Sequence, residues 1–170
     1  GDAKKIYELL VDKGKDFNLS NCGMHSMDIM RMESGFLHWG HDISPEENQY
    51  QAGLSFAISK SKSIDFIGKK ALEKIKKEKI KSRFLMFTLE NSKPGEPLLL
   101  HDEPIYLEEK IIGRTTSGNY SFNFKKNLMF GYVNNDFSND ELQKKKLFVE
   151  VEKQKYPICL LYTSDAADES

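Results

Sequence analysis

The sequence predicts an α+β fold in which a helical segment precedes a small antiparallel β unit. Before about residue 80, apolar residues recur at the three- and four-residue spacing of amphipathic helices. From Arg83 onward, short runs of alternating apolar and polar residues are separated by glycine, proline, asparagine and aspartate. That pattern is typical of an antiparallel barrel or sandwich.

Two helices are predicted at the start of the chain. The first covers residues 3–14, where apolar residues share one face and a glycine supplies the stop. The second covers residues 22–33, with Ser20 or Asn21 as its N-cap and Gly35 just after its end.

A strand and a basic helix are predicted next. The apolar run at residues 52–58 favours a strand that crosses the first unit, and residues 68–80 favour an amphipathic helix. Because lysines dominate residues 69–83, this helix has two interpretations, a surface for nucleic acid or membrane and an ordinary solvated face. The apolar residues among the lysines favour the solvated face.

The second unit is predicted to contain five short strands. Each is a run of alternating residues bounded by turn-forming residues, a pattern that favours antiparallel pairing. The predicted strands are 85–88, 103–106, 111–116, 128–133 and 147–151.

Composition excludes several classes of function. The 170 residues carry a formal net charge of −1, so no global field points to nucleic acid or to an anionic membrane. No apolar run is long enough for a membrane helix, and the amino terminus has no hydrophobic signal segment. Two cysteines, Cys22 and Cys159, are too few for a disulfide framework, which favours a reducing compartment.

The segment around Arg31 carries the candidate site residues, each with a structural alternative. Arg31 either contacts a ligand or forms an ion pair with Asp28 or Glu33. A nearby group of His38, His41 and Asp42 has the donor types of a zinc or iron site. The favoured alternative is that Asp42 caps a turn through backbone amides and that the histidines pack at a domain junction.

Two further predictions concern Trp39 and residues 115–121. Trp39 is expected to be a buried aromatic residue at the junction. Residues 115–121 are expected to form a turn between strands, in which Gly118 supplies a positive backbone angle and the hydroxyls bind backbone groups. A serine nucleophile would need a base and an orienting acid, and no such arrangement is evident, so hydrolase activity is rejected.

The segment Met30 to Phe56, MRMESGFLHWGHDISPEENQYQAGLSF, resembles the signature of aminomethyltransferase-type tetrahydrofolate-binding domains. These include the T-protein of the glycine cleavage system and the carboxyl-terminal half of dimethylglycine and sarcosine dehydrogenases. Within the family, residues 38–42 and 65–68 are closer to the flavin-dependent dehydrogenases. Further similar blocks follow in family order at 65–72, 83–89, 103–106, 112–118 and 130–133.

The resemblance implies a division of the chain. Residues 1–79 would be the C-terminal portion of a folate-binding domain truncated at its start, and residues 80–157 the C-terminal β-barrel. Residues 158–170 have no counterpart in the family and are similar to a translated sequencing adapter, so an artefactual tail is expected.

The resemblance also implies a function, the tetrahydrofolate-binding part of a flavin-dependent dehydrogenase of the dimethylglycine or sarcosine type. Tetrahydrofolate and a methylated amine would be its small-molecule ligands, with FAD on a missing N-terminal flavin domain. Catalytic residues would lie upstream, so the fragment alone would be inactive. The alternatives are a T-protein aminomethyltransferase, served by a lipoyl carrier protein, and a noncatalytic folate-binding module. The implied compartment is the bacterial cytoplasm or the mitochondrial matrix.

Two cofactor-binding residues are implied, Phe56 and Arg31. The family places an aromatic residue at Phe56 against the bound pterin, while the alternative is a core phenylalanine on the predicted strand. Met27 stands where the T-protein branch has a folate-contacting arginine, which favours the dehydrogenase branch. The lysines of residues 69–83 are candidates for the electrostatic attraction of the anionic polyglutamate tail of folates.

Overall fold

The computed structural model describes residues 1–59 and 65–162. Its second unit is a closed barrel of six antiparallel strands. The strands are β1 Ser82–Leu89, β2 Pro104–Leu107, β3 Lys110–Ser121, β4 Lys126–Asn134, β5 Leu147–Val151 and β6 Gln154–Tyr162. Their order around the barrel is β1, β4, β3, β2, β5, β6, after which β6 returns to β1.

The five predicted strands are confirmed, and β6 closes the barrel by pairing with both β5 and β1. Ile158, which was assigned to the tail, lies opposite Leu89 on β1 and Leu147 on β5 and is buried. The barrel therefore extends through residue 162, and the boundary at 157 is wrong. Pro157 makes this strand difficult to predict from the sequence, because proline has no N–H for strand pairing. Its carbonyl accepts from the Glu90 amide at 3.1 Å.

The barrel interior holds the main hydrophobic core. Inward residues of all the strands contribute to it, and the largest fully buried side chain is Phe87. Gly131 on β4 keeps two strands close, since a Cβ there would lie 2.6 Å from the Arg114 carbonyl oxygen and 2.8 Å from the Ile105 side chain. Only glycine fits such a close backbone approach.

One short helix, α4 (Asn139–Lys144), covers one side of the barrel. Ser138 begins it with a capping box, in which the serine hydroxyl accepts from the Glu141 amide and the Glu141 carboxylate accepts from the Ser138 amide. The Ser138 amide and the Ser138 hydroxyl both donate to the Glu141 carboxylate, which lowers the pKa of Glu141. The helix buries Leu142 in the barrel core.

The first unit contains α1 (Ala3–Gly14), α2 (Met24–Glu33) and α3 (Lys69–Lys77). Helix α1 has no buried residue. Helix α2 packs on the outside of the barrel, where Ile29 and Met32 meet Phe130 of β4. The predicted helices are therefore confirmed, but of these three described helices only α2 has buried apolar residues that pack on the barrel.

Three local predictions are corrected. Helix α2 follows Gly23, and no side chain caps it; Asn21 instead donates to the Tyr7 hydroxyl at 2.9 Å. Helix α3 ends at residue 77, earlier than predicted. Residues 52–58 do not form a strand, because Gly53 adopts a φ of 69° and a 3-10 turn follows it at Ser55–Ala57.

Candidate functional site

The centre of the junction between the two units is the buried carboxylate of Asp42. One of its oxygens accepts from the hydroxyls of Thr116 at 2.6 Å and Ser117 at 2.8 Å, both on β3. The other accepts from the His38 amide at 2.8 Å and from Arg31. The predicted capping of a turn by Asp42 is confirmed, and its hydrogen bonds also join the turn to the barrel.

Arg31 makes four hydrogen bonds to the protein and a further ion-pair contact with Asp28. Nε and Nη2 contact Asp28 at 2.8 and 2.7 Å, Nη1 donates to Asp42 and to the Phe36 carbonyl, and Nη2 also donates to Ser117. The predicted ion pair with Asp28 is confirmed. The guanidinium therefore holds helix α2, the following turn and strand β3 in one network.

Two more polar contacts fasten the same junction. Tyr132 of β4 donates its hydroxyl to the Asp42 carbonyl at 2.9 Å. Burial, together with the nearby Glu47 and Asp42 carboxylates, raises the pKa of Tyr132 well above its usual range, so the hydroxyl stays a donor. At the end of α2, Glu33 accepts from Ser121 on β3 and from Asn123.

A cavity of about 540 Å³ opens beside this network, between α2 and the barrel. Its apolar wall comes from Met24 and Met27 of α2 and from the loop before β2, including Leu98 and Leu99. Its polar wall includes Arg31, Asp28 and the β3 residues from Thr116 to Tyr120. The cavity thus combines an apolar surface with a few convergent polar groups, as small-molecule sites do.

The loop before β2 is held in place as a wall of the cavity. Asn127 of β4 is buried and donates to the Pro97 carbonyl at 3.2 Å, and Glu103 accepts from the Leu100 amide at 2.8 Å. Leu99 presses on Gly118, where a Cβ would lie 2.3 Å from that of the leucine. The absence of a side chain at Gly118 therefore permits the loop to close on β3.

Family models match both units. The GCVT N-terminal domain matches residues 1–62, and the glycine cleavage T-protein C-terminal barrel domain matches residues 83–162. The chain belongs to the glycine cleavage T-protein family. The barrel match ends at residue 162, as strand β6 does.

Curated relatives in this family include enzymes of two kinds. Mitochondrial dimethylglycine dehydrogenase of Homo sapiens is 33% identical over 132 residues, which are 78% of this chain and 15% of the dehydrogenase. An aminomethyltransferase of Symbiobacterium thermophilum is also 33% identical over 132 residues, covering 34% of its length. The chain therefore spans about a seventh to a third of these relatives.

A solved structure has the same fold. The glycine cleavage system aminomethyltransferase T from Bartonella henselae superposes with a TM-score of 0.76 at 23% identity. The superposition covers 95% of this chain and 43% of that structure. Both the α+β class and the barrel implied by the family resemblance are therefore confirmed.

The structure does not bring the two predicted cofactor-binding residues of the T-protein signature to one cavity. Arg31 lines the cavity, whereas Phe56 does not. Phe56 lies on the 3-10 turn with 72% of its surface exposed, so the alternative of a core phenylalanine on a strand is wrong. Its contact with a pterin stays a prediction.

Two predictions about neighbouring residues are corrected. Trp39 is 66% exposed and is therefore not a buried aromatic residue of the junction. The turn around Asp42 faces the barrel with the Asp42 carboxylate and not with the Trp39 indole. Residues 115–121 belong to strand β3, and Gly118 has no positive φ. The Thr115 and Ser121 hydroxyls accept from backbone amides, as predicted, whereas those of Thr116 and Ser117 donate to the Asp42 carboxylate.

The loop of residues 95–101 is a site element that sequence reasoning missed. Its only sequence signal is a Leu98-Leu99-Leu100 run next to Pro97, which alone does not distinguish a wall from a core segment. In the described part of the chain, no group of three or more histidine, cysteine or acidic residues is placed to hold a metal ion. Across residues 1–59 and 65–162, no helix has the length and hydropathy of a membrane span.

Proposed function

We propose that the chain is the tetrahydrofolate-binding part of a flavin-dependent N-methyl amine dehydrogenase of the dimethylglycine or sarcosine type. The observation that carries the proposal is the cavity between α2 and the barrel, in a chain of the T-protein family. The similarity to dimethylglycine dehydrogenase supports the dehydrogenase branch. The proposed compartment is the mitochondrial matrix or the bacterial cytoplasm.

The cavity suits a reduced folate in size and chemistry. Its volume of about 540 Å³ lies in the range of small-molecule sites, about 300 to 1,000 Å³. Leu98, Leu99 and Met27 offer an apolar surface to a flat ring system, and Tyr120 adds an aromatic group. Thr116 and Ser117 already donate to Asp42, and Asn119 bonds to two backbone groups, which leaves the histidines as the more adaptable polar groups.

Arg31 and Phe56 have different proposed functions. Because all three guanidinium nitrogens of Arg31 contact protein acceptors, we assign it a positioning function: it holds α2 and the Asp42 turn against β3. Phe56 is proposed as an aromatic wall for the pterin, and its exposed ring is available for such stacking.

Reduced folate, when bound, supplies a ring nitrogen that captures the one-carbon unit released from the oxidised amine. The residues of this chain bind and orient it and exclude water from one side of the cavity. FAD and the proton-transferring carboxylate are assigned to other parts of the parent enzyme. The chain contains no Gly-x-Gly-x-x-Gly segment of its own.

A free-standing aminomethyltransferase, partnered by a lipoyl carrier protein, is the second candidate. It is favoured by the similarity to the Symbiobacterium thermophilum enzyme, of which this chain covers a larger share than of the dehydrogenase. Flavin bound by the complete protein distinguishes the two candidates, because only the dehydrogenase needs it.

Calorimetric titration of the 170-residue chain with tetrahydrofolate tests the proposal. We expect saturable one-site binding that Leu98→Trp weakens by about tenfold or more, because the larger ring enters the cavity. The matched control is Ile111→Trp, an equally exposed aliphatic residue of β3 outside the cavity, which should leave the affinity unchanged. Absence of binding, or equal binding by both variants, would contradict the proposal.

A further inference from the structure

All four histidines of the chain line the one cavity between α2 and the barrel. His25 lies on α2, His38 and His41 lie within the turn that ends at Asp42, and His101 lies in the loop before β2. Three separate chain segments therefore bring imidazoles to the same rim. Sequence reasoning grouped only two of these histidines, since His25 and His101 are far away along the chain.

Within residues 1–59 and 65–162, most of these imidazoles have no hydrogen-bond partner. Of the four, His101 alone has a partner among the described residues, the Asp102 carboxylate at 2.9 Å. His38 and His41 lie next to each other, with ring centroids 4.7 Å apart and planes tilted by 43°. The side chains of His25, His38 and His41 are exposed, so their nitrogens are available to a ligand.

The charged groups that face the rim already have partners. On α2, Asp28 pairs with Arg31, and beneath the turn Asp42 pairs with the same arginine. In the loop before β2, Asp102 pairs with His101 and Arg114. Asp28, Arg31 and Asp42 together leave one net negative charge, which three protonated imidazoles would outweigh.

Protonation and anion binding at this rim are therefore coupled. Imidazole has an ordinary pKa of about 6.5, so its charge changes in the physiological range. The His38 and His41 rings lie close enough together for one anion to contact both. A bound anion favours the charged form of a neighbouring imidazole, so binding of the anion draws protons from solution.

We propose that the histidine rim, formed by His25, His38, His41 and His101, is a proton-coupled binding site for carboxylate groups of the ligand. The assignment of those carboxylates to the glutamate tail of a folate rests on the proposed function. A metal site is not favoured, because the described residues contain no group of three donors placed for one. The lysine-rich helix α3, the candidate from sequence, does not line the cavity.

Titration of the 170-residue chain with a tetra-L-glutamate peptide tests the site without any pterin. Between pH 8.0 and pH 5.5 each ordinary imidazole changes from almost neutral to mostly charged, whereas the glutamate carboxylates stay ionised. We expect about tenfold or greater tightening of Kd at the lower pH. Calorimetry in two buffers of different ionisation enthalpy should record proton uptake on binding.

Two matched double variants locate the effect. His38→Asn with His41→Asn should abolish most of the pH dependence and the proton uptake, while Lys76→Asn with Lys77→Asn on α3 should leave both intact. Circular dichroism at each pH checks that the variants fold. A Kd that is equal at both pH values, or one that responds only to the lysine variant, would overturn the proposal.

The two probes separate this site from the proposed function. If tetraglutamate binds with proton uptake and tetrahydrofolate does not bind, the histidine rim stands and the folate function fails. If tetrahydrofolate binds and tetraglutamate shows no pH-dependent binding, the folate function stands and the rim assignment fails.

Discussion

The barrel and the first 59 residues are stabilised in opposite ways. Every barrel strand pairs on both sides, and the interior is filled by one large cluster of buried apolar side chains. In residues 1–59 the buried apolar side chains are Ile29, Met32 and Ala52, whereas Leu9, Leu10 and Phe17 are more than half exposed. The barrel therefore has its own core, and the described residues 1–59 do not.

This difference indicates that polar contacts hold the cavity together. Apart from Ile29 and Met32, helix α2 is fastened to the barrel by Asp42, Arg31 and Glu33. Buried polar networks lose much of their value when one member is removed, because the others remain desolvated. The cavity should consequently be easier to disrupt than the barrel that forms one of its walls.

The largest expected effect is in the barrel core. Phe87→Ala removes a fully buried ring and should lower the free energy of unfolding by about 3 to 5 kcal/mol. The matched variant Phe17→Ala removes a ring that is 84% exposed and should stay within about 0.5 kcal/mol of the parent. Urea unfolding followed by circular dichroism measures both, and similar losses would break the comparison between the two regions.

The next effect is at the junction. Asp42→Ala leaves Arg31 and the β3 hydroxyls without their buried acceptor, at a cost of about 3 kcal/mol. Chymotrypsin cleavage at the exposed Phe36 and Trp39 should then be about a hundredfold faster, since it follows local opening.

The control for the junction is Asp28→Ala, which removes the more exposed partner of Arg31. The Asp28→Ala substitution should destabilise the junction by at most about 1 kcal/mol, the usual contribution of an exposed ion pair. Equal cleavage rates in the two variants would argue against Asp42 as the centre of the network.

A smaller effect distinguishes two similar serine motifs. Ser138→Ala removes the capping box of α4 and should lower the free energy of barrel unfolding by about 1 kcal/mol. Ser44 makes comparable bonds to Glu47 in the first unit, but it caps no helix. Ser44→Ala should therefore change barrel unfolding by less than about 0.5 kcal/mol, as measured by denaturant titration.

The smallest expected effect is on thermal stability at acidic pH. Hydrogen bonds from His101 and Arg114 lower the pKa of Asp102. A carboxylate with a lowered pKa stabilises the fold above its unfolded pKa of about 3.9, and this contribution is lost as the pH falls through the folded pKa. As the pH falls from about 5 to about 2, the melting temperature of Asp102→Asn should therefore decrease slightly less than that of the parent. Equal decreases in melting temperature for the two proteins would contradict the lowered pKa of Asp102.

Local sequence patterns predicted the barrel strands well because each strand carries its own alternation and turns. Gln154–Tyr162 was only partly recognised, since Pro157 interrupts the pattern and strand pairing across the closure is not local information. Residues 52–58 were misassigned for a related reason. A short apolar run is compatible with a strand or a 3-10 turn, and the backbone of Gly53 decides between them.

The candidate site was harder to predict than the fold. Asp42 was recognised as a turn residue, but its acceptance from Thr116 and Ser117 joins segments more than 70 residues apart. The resemblance to the family correctly pointed to the segment that contains Arg31. It did not indicate that protein acceptors would contact all three guanidinium nitrogens of that arginine.

Hydrogen exchange of the 170-residue chain tests most directly whether the Asp42 network, and not an apolar core, holds the first unit on the barrel. Amides of α2 should exchange far more slowly than those of α1, and Asp42→Ala should remove the protection of α2 while β3 and β4 keep theirs. Equal protection of α1 and α2, or protection of α2 that survives Asp42→Ala, would contradict this account.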